Sequence, residues 1–147
     1  GFVFDMWKIY EDFVGVALKE ALASRGSATL QHRMHLDHAQ RVDLRPDFLW
    51  TSHNGDQVVV DAKYKAEKPA GYPQADLYQL LAYCTVLGLR EGHLVYAKGN
   101  ESELTHDVRG TEIVIHCHTV DLDQAPSTLL GQVRSLAHRI AALPSDD

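Results

Sequence analysis

The stretch VVVDAKYK, residues 58–65, determines the fold class that we predict and places charged side chains where a strand ends. Its three valines are typical of a buried strand, and Asp61 and Lys63 are two residues apart, so they project from the same face. The preceding apolar run, DFLWTSH at residues 47–53, is separated from this strand by Asn-Gly-Asp. Because Asn-Gly readily takes the positive φ angles of a type I′ turn, we predict a β-hairpin.

The periodicity of the remaining segments predicts the elements around this hairpin. Apolar residues at three-to-four spacing indicate helices, and β-branched or alternating runs indicate strands. We predict helices over residues 6–24, 74–87 and 126–143, and further strands over residues 28–36, 92–98 and 112–120. Residues 99–110 are polar and predict an exposed loop. The order predicts an α/β fold, with a central mixed β-sheet flanked by helices.

Length and composition indicate one globular domain over residues 1–147, with an amphipathic start that suggests the C-terminal part of a longer chain. No apolar run approaches the roughly 20 residues of a membrane span, and no secretory leader is visible. We therefore expect a cytoplasmic protein with no membrane contact. Cys84 and Cys117 lie in apolar segments without metal-type spacing, which favours two buried thiols over a disulfide.

Charge and histidine content limit the ways in which this chain can bind its partners. The formal net charge is −6, which argues against a free-standing basic DNA clamp. Bases and acids balance between Arg33 and Lys68, so the acidic excess lies elsewhere in the sequence. The segment QHRMHLDH at residues 31–38 could be a histidine metal tract, but it fits strand and loop better.

Two carboxylates and a lysine are predicted to meet at one end of the sheet. Asp47 and Asp61 lie about equally far from the hairpin turn, so they should stand side by side on paired strands, with Lys63 on the face of Asp61. Clustered carboxylates favour a hard divalent cation such as Mg²⁺, and a lysine can stabilise charge developing on phosphorus. This set suits phosphodiester hydrolysis. The alternative is an exposed hairpin with a surface charge pair.

The ordered motifs resemble the PD-(D/E)xK nuclease superfamily. The corresponding pieces are Pro46-Asp47, Asp61-Ala62-Lys63, and a QxxxY pattern from Gln79 to Tyr83. The runs DMWKIYEDFV, DAKYK and DLYQLLAY are more specifically similar to the nuclease domain of McrC, the cleavage subunit of McrBC modification-dependent restriction systems. This resemblance implies a restriction-endonuclease-like core, a Mg²⁺-dependent DNA endonuclease, and an AAA+ GTPase motor of the McrB type as partner.

The resemblance also implies a role for each matching residue. Asp47, Asp61 and the backbone carbonyl of Ala62 would bind Mg²⁺, with Mn²⁺ able to substitute, and Lys63 would position the attacking water. Glu11 on the first helix would assist at the metal, although a solvated helix acid is an equal alternative.

Further positions would complete the site or bind DNA. Gln79 and Tyr83, one helical turn apart, would lie against the active site or the DNA backbone, and core packing is the alternative for Tyr83. Lys65, Arg45 and Lys68 would contact DNA, and a solvated side chain is the alternative for Lys65. Two other functions stay open: a RecB-like or resolvase-like repair nuclease, and a non-catalytic nuclease-fold module that binds DNA or a partner.

Overall fold

The computed structural model describes residues 2–64, 74–97 and 103–142. These residues form three helices and eight strands. In chain order they are α1 Phe2–Ala21, β1 Gly26–Leu30, β2 Met34–His35, β3 Asp43–Leu44, β4 Phe48–Ser52, β5 Gln57–Lys63, α2 Gln74–Leu87, β6 Glu91–Ala97, β7 Leu104–Asp107, β8 Val114–Val120 and α3 Pro126–Ala142.

Six of the strands form a mixed sheet in the order β1-β4-β5-β6-β8-β7, while β2 and β3 pair with each other. The strands β1, β4 and β5 are antiparallel neighbours, and β5, β6 and β8 are parallel neighbours. The change from antiparallel to parallel pairing follows from the chain connections, because a parallel neighbour needs a crossover and α2 lies between β5 and β6. The predicted α/β class, with a central mixed sheet flanked by helices, is confirmed.

Strand β5 is buried on both faces, which explains its nearly continuous apolar sequence. Val58 and Val60 pack into a core formed with α1 and α3, whereas Val59 packs into a second core formed with α2. Asp61 and Lys63 alternate with Val60 and therefore lie on the α2 side of the sheet. The fold thus places both charged side chains beneath one helix.

The β4–β5 hairpin forms as predicted, but the predicted type I′ turn is wrong. The Gly55 N–H donates to the Ser52 carbonyl at 3.0 Å, and Gly55 has a φ of 93° while Asn54 does not have a positive φ. A type I′ turn requires positive φ at both central residues. The Ser52 hydroxyl accepts hydrogen bonds from the N–H groups of Asn54 and Asp56, and these bonds stabilise the observed turn instead.

Two other predictions about the sheet are wrong in part. The strand predicted over residues 28–36 is interrupted at Gln31, whose φ of 56° cannot continue a β-strand. The loop predicted over residues 99–110 contains strand β7, which pairs antiparallel with β8 at the sheet edge. β7 is mostly exposed, so its sequence lacks the apolar alternation by which a strand is recognised.

The helix bounds and the state of the two cysteines agree with the predictions except at α1. Helix α2 has the predicted bounds, whereas α1 begins earlier and ends at Ala21, before the predicted end at residue 24. Cys84 and Cys117 are free and buried, as predicted. Within the described part of the chain, no helix is long and apolar enough to cross a membrane.

Candidate active site

Strand register brings Asp47 and Asp61 together. Phe48 pairs with Val60 across the β4–β5 hairpin, so the next position outward places Asp47 beside Asp61. The Asp47 N–H donates to Asp61 Oδ1 at 2.9 Å, and the Ala62 N–H donates to Asp47 Oδ2 at 2.9 Å. Each carboxylate is therefore fixed by a backbone amide of the opposite strand.

Lys63 lies beside the two carboxylates, and its ammonium group has several polar neighbours. Its Nζ lies 2.9 Å from Asp61 Oδ2 and donates to Gln79 Oε1 at 2.6 Å. Asp76 Oδ1 lies 4.0 Å from the same Nζ. Gln79 and Asp76 are three residues apart and share a face of α2. This face of α2 therefore fixes the ammonium group next to the carboxylates.

Asp76 is a site residue that the sequence analysis missed. It is buried, and its Oδ2 accepts a hydrogen bond from the Tyr96 hydroxyl at 2.8 Å. Tyr96 is the β6 partner of Lys63 in the parallel register. The signal for Asp76 was its position three residues before Gln79 on the predicted helix, because that spacing places both side chains on the same face.

Gln31 is the second missed residue. Its backbone N–H donates to the Asp47 carbonyl at 2.9 Å, and its side-chain Nε2 donates to Asp47 Oδ1 at 2.9 Å. The left-handed backbone of Gln31 is a conformation that costs a non-glycine residue roughly 1–2 kcal/mol. No sequence motif marks this position, because the contact depends on how β1 continues past Leu30.

Burial and mutual repulsion disfavour the charged forms of the carboxylates in the site. Burial and the charge of Asp47 raise the pKa of Asp61 to about 7, although Lys63 and the Asp47 amide oppose the rise. Partial burial and the charges of Asp47 and Asp61 raise the pKa of Glu11 to about 7 as well. Glu11 on α1 is thus electrostatically coupled to the pair.

Lys63 keeps its proton in this environment. Burial by itself lowers the pKa of Lys63, but the charges of Asp61, Asp76 and Asp47 and the hydrogen bond to Asp61 outweigh burial and raise it. The side chain is therefore a permanent cation at neutral pH, which can donate hydrogen bonds and stabilise negative charge but cannot accept a proton.

The donor set of Asp47 and Asp61 fits a hard divalent cation. Mg²⁺ is commonly held by one or two carboxylates, with water and substrate phosphate oxygens filling the other positions. Within residues 8–64, 74–97 and 103–141, no group of three or more His, Cys, Asp or Glu side chains is arranged to hold a metal ion. The carbonyl of Ala62 as a further ligand stays a prediction, while its amide is bound to Asp47.

The other predicted residues occupy different environments. Tyr83 is only 2% exposed and packs in the α2 core, so it is not accessible to a DNA backbone. Burial and the charges of Asp61 and Asp47 raise its pKa. Arg45 is exposed beside β3. Lys65 and Lys68 lie outside the described residues.

A stack of three histidines lies on the other face of the sheet, and the sequence analysis did not identify it. The rings of His93, His116 and His118 stack on neighbouring strands β6 and β8, with centroids 5.0–6.3 Å apart. His93 Nδ1 and His118 Nε2 share a hydrogen bond of 3.0 Å. Glu103 Oε2 lies 3.7 Å from His118 Nδ1, and Arg139 binds the same carboxylate oxygen.

We expect this stack to make the fold sensitive to mild acid. Burial, Arg139 and His116 lower the pKa of His118 from 6.5 to about 4. The unfolded chain therefore binds more protons between these values, so the contribution of His118 is complete above pH 6.5 and is lost as pH falls towards 4. When the pH falls from 7.5 to 5, the unfolding free energy of His118→Gln should therefore decrease by about 2 kcal/mol less than that of the parent chain. Urea unfolding at pH 5 and pH 7.5 measures the difference.

The exposed His38→Gln is the matched control, because it removes an imidazole outside the stack. Its loss of stability between pH 7.5 and pH 5 should equal that of the parent chain. An equal loss for His118→Gln as well would show that the stack does not govern the acid response.

The fold and the site together define a mixed α/β protein in which two carboxylates and a lysine converge where paired strands end. The chain belongs to the family described as the McrBC 5-methylcytosine restriction system component, whose model matches residues 1–97. Glu11, Asp47, Asp61, Lys63 and Asp76 all lie within that match. No curated protein matches the chain significantly in sequence.

The fold is also similar to that of a solved relative. The structure is a refined half-complex from a tetradecameric assembly of Thermococcus gammatolerans McrB AAA+ hexamers with bound McrC. The TM-score is 0.73 at 18% sequence identity, and the match covers 92% of this chain and 33% of that chain. The chain therefore spans about a third of the length of this relative.

Proposed function

We propose that this chain is the DNA-cleaving domain of a McrBC-type modification-dependent restriction system. It hydrolyses phosphodiester bonds with Mg²⁺, and Mn²⁺ can replace that ion. We further propose that its core is of the PD-(D/E)xK type, with Asp47 and Asp61 as the acids and Lys63 as the lysine. The support is membership of the McrBC family together with the geometry of these three side chains.

The observation that carries the proposal is the convergence of Asp47, Asp61 and Lys63 within hydrogen-bonding distance. A buried ion pair beside a second carboxylate is costly for stability, since burial raises the pKa of Asp61 to about 7 even with Lys63 in contact. Such an arrangement is typical of functional sites, where perturbed pKa values cluster. A surface charge pair would not be buried in this way.

Lys63 acts by position and charge. Because its raised pKa keeps it protonated, it serves as a hydrogen-bond donor and not as a general base. Gln79 and Asp61 aim its Nζ at the carboxylate pair, so it can orient the nucleophilic water and stabilise the charge that develops on the phosphate oxygens. Gln79 is accordingly a positioning residue.

Asp47 and Asp61 would hold the metal, with Glu11 as an outer acid coupled to them. A bound Mg²⁺ would supply Lewis-acid polarisation of the phosphate and a lower pKa for a bound water. Gln31 and the amide of Ala62 hold the Asp47 carboxylate, which fixes its orientation before any ion binds. Such fixed orientation lowers the reorganisation needed during catalysis.

We further propose an AAA+ GTPase motor of the McrB type as the partner that delivers DNA. The solved relative is a McrC chain bound to McrB AAA+ hexamers. A non-catalytic module and a repair nuclease are the competing functions. They are distinguished by cleavage of plasmids with and without 5-methylcytosine, using the complete protein with its motor, GTP and Mg²⁺. Cleavage that needs both the motor and the modified base supports the proposal.

The chain by itself should be a poor nuclease. Affinity for DNA comes largely from lysines and arginines that neutralise phosphates, and this chain has a net charge of −6. Binding at physiological salt should be near the non-specific limit of roughly 10⁻⁴ M. We therefore expect only slow nicking of plasmid by the chain with Mg²⁺, and much faster cleavage once the motor raises the local DNA concentration.

The blank for this measurement is the Asp61→Asn chain under the same conditions. Efficient cutting by the parent chain at sub-micromolar concentration, without the motor, would show that it is autonomous. That result would favour the repair-nuclease function over the restriction subunit.

A further inference from the structure

Residues 31–46, which we call the ribbon, continue the β1–β4 hairpin beyond the sheet. Leu30 pairs with Phe48 at the end of β1, and the same register is kept through every later cross-strand contact. These contacts are Gln31 N–H to Asp47 O, His32 N–H to Pro46 O, Met34 with Leu44, His35 with Asp43, and Leu36 N–H to Val42 O. The ribbon is thus a two-stranded arm that is irregular at Gln31, contains the short strands β2 and β3, and is bonded to Asp47 at its base.

The tip of the ribbon is closed by its own hydrogen bonds. Asp37 Oδ1 accepts the N–H groups of Arg41 and Val42 at 2.9 and 3.0 Å. The Gln40 N–H donates to the Asp37 carbonyl at 3.0 Å, and Gln40 has a φ of 59°. The tip is therefore preformed, so a ligand that binds it does not have to order it.

The two faces of the ribbon differ in character. Met34 and Leu44 pack against the α2 core, and Leu36 and Val42 continue the same face outward, where they are 47% and 46% exposed. The register puts the exposed side chain of Arg33 across from Arg45, on the opposite face. One face of the arm is thus apolar, and the other carries Arg33 and Arg45 at facing positions.

The charge of the ribbon favours an anionic ligand. Arg33, Arg41 and Arg45 are exposed, whereas both acids of the ribbon are engaged within it. Asp37 binds the tip amides, and Asp43 Oδ1 lies 3.2 Å from His35 Nε2. Arginines placed directly across from each other repel, so this arrangement reduces stability unless a ligand neutralises it.

We propose that the ribbon binds duplex DNA on one side of the scissile phosphate. This inference rests on the proposed function, because the site at the ribbon base fixes where the DNA lies. At about 3.3 Å per residue the ribbon reaches at most roughly 20 Å beyond Asp47, a span of up to about six base pairs. Arg33 and Arg41 neutralise phosphates along that span, and Leu36 and Val42 contact sugars and base edges in the groove.

The first test is equilibrium binding of the intact chain to a fluorescent 30-base-pair duplex, titrated from 25 to 150 mM salt without divalent metal. The double variant Arg33→Ala/Arg41→Ala should bind about tenfold more weakly at low salt, and the slope of log K against log salt should fall by about 2. Arg90→Ala is the matched control, since Arg90 is an exposed arginine at the start of β6 that pairs with Glu112. Its affinity and slope should equal those of the parent chain.

The second test separates the apolar face from charge. Leu36→Ser/Val42→Ser should weaken binding several-fold and leave the salt slope unchanged, because no phosphate contact is lost. Circular dichroism melts confirm that each variant is folded. A parent-like slope for the arginine variant, or failure of the parent chain to bind the duplex at low salt, overturns the proposal.

Two further outcomes distinguish this inference from the proposed function. DNA that binds with the expected slope but is never cut by the complete protein supports the ribbon and refutes the nuclease. Loss of assembly with the AAA+ motor in the ribbon variants, at unchanged DNA affinity, assigns the arm to a protein contact and overturns the inference.

Discussion

Lys63→Met in the complete protein is expected to lower kcat for DNA cleavage by about 10³-fold, which is the effect of removing one preorganised charge donor. The aliphatic length is kept, so the packing under α2 should change little. KM for DNA should stay within a few-fold of the parent value, because in the proposed mechanism the ammonium stabilises charge that develops only in the transition state. The affinity for Mn²⁺ should stay similar, since both carboxylates are kept.

Single-turnover cleavage of a labelled plasmid, assembled with the motor and GTP, measures the chemical step. Lys19→Met is the matched control, because Lys19 is an exposed lysine in the last turn of α1. Lys63→Arg tests position against charge: it keeps the cation but cannot reproduce the short contacts to Asp61 and Gln79. Normal cleavage by Lys63→Met would refute the mechanism.

Packing around Lys63 explains why the lysine needs several partners. Its Nζ meets Asp61, Gln79 and Asp76, and burial by itself favours the neutral amine. The carboxylates keep it charged, and the Tyr96 hydroxyl binds Asp76 from β6. Loss of the Asp76 charge should therefore act on catalysis through Lys63, which makes Asp76 a positioning residue.

The sequence was sufficient to predict the hairpin and the pairing of Asp47 with Asp61. The reason is physical: two apolar runs joined by a short loop have one register that buries both, and that register sets which residues meet at the far end. The turn type could not be predicted from Asn-Gly, because the Ser52 hydroxyl accepts hydrogen bonds from the N–H groups of Asn54 and Asp56. The pairing was nevertheless as predicted, with Phe48 opposite Val60 and Asp47 beside Asp61.

Contacts made by residues distant in sequence could not be predicted. Gln31 contacts Asp47 because the cross-strand register is kept at Gln31 beyond the end of β1, where its left-handed backbone is encoded by no local pattern. The same continuation forms the ribbon, where a single strand was predicted. Tyr83 was predicted on the face of Gln79, and it is buried in the α2 core, whereas Gln79 contacts Lys63. Helical spacing predicts which face of the helix a side chain lies on, but it does not predict how deeply that side chain is buried.

Asp61→Asn is expected to abolish metal binding and cleavage and, at the same time, to stabilise the metal-free fold. The folded pKa of Asp61 is raised from 3.8 to about 7, so the folded chain binds more protons than the unfolded chain between these values. The parent chain therefore loses stability as pH rises through that window. The neutral amide does not titrate, so the variant should be more stable by about 1–3 kcal/mol at pH 8 and by little at pH 4.

Thermal melts in EDTA at pH 4 and pH 8 measure this difference, and melts at pH 8 with 10 mM Mg²⁺ in place of EDTA measure binding. Added Mg²⁺ should raise the Tm of the parent chain, because an ion that binds only the folded state stabilises it, and should leave the variant unchanged. Asp56→Asn in the exposed hairpin loop is the matched control and should respond to Mg²⁺ like the parent. Equal affinity of Asp61→Asn and the parent for Mn²⁺ would mean that the metal binds elsewhere. Opposite changes in stability and metal binding would show that the buried carboxylates are retained for the cation they bind, since they destabilise the fold that holds them.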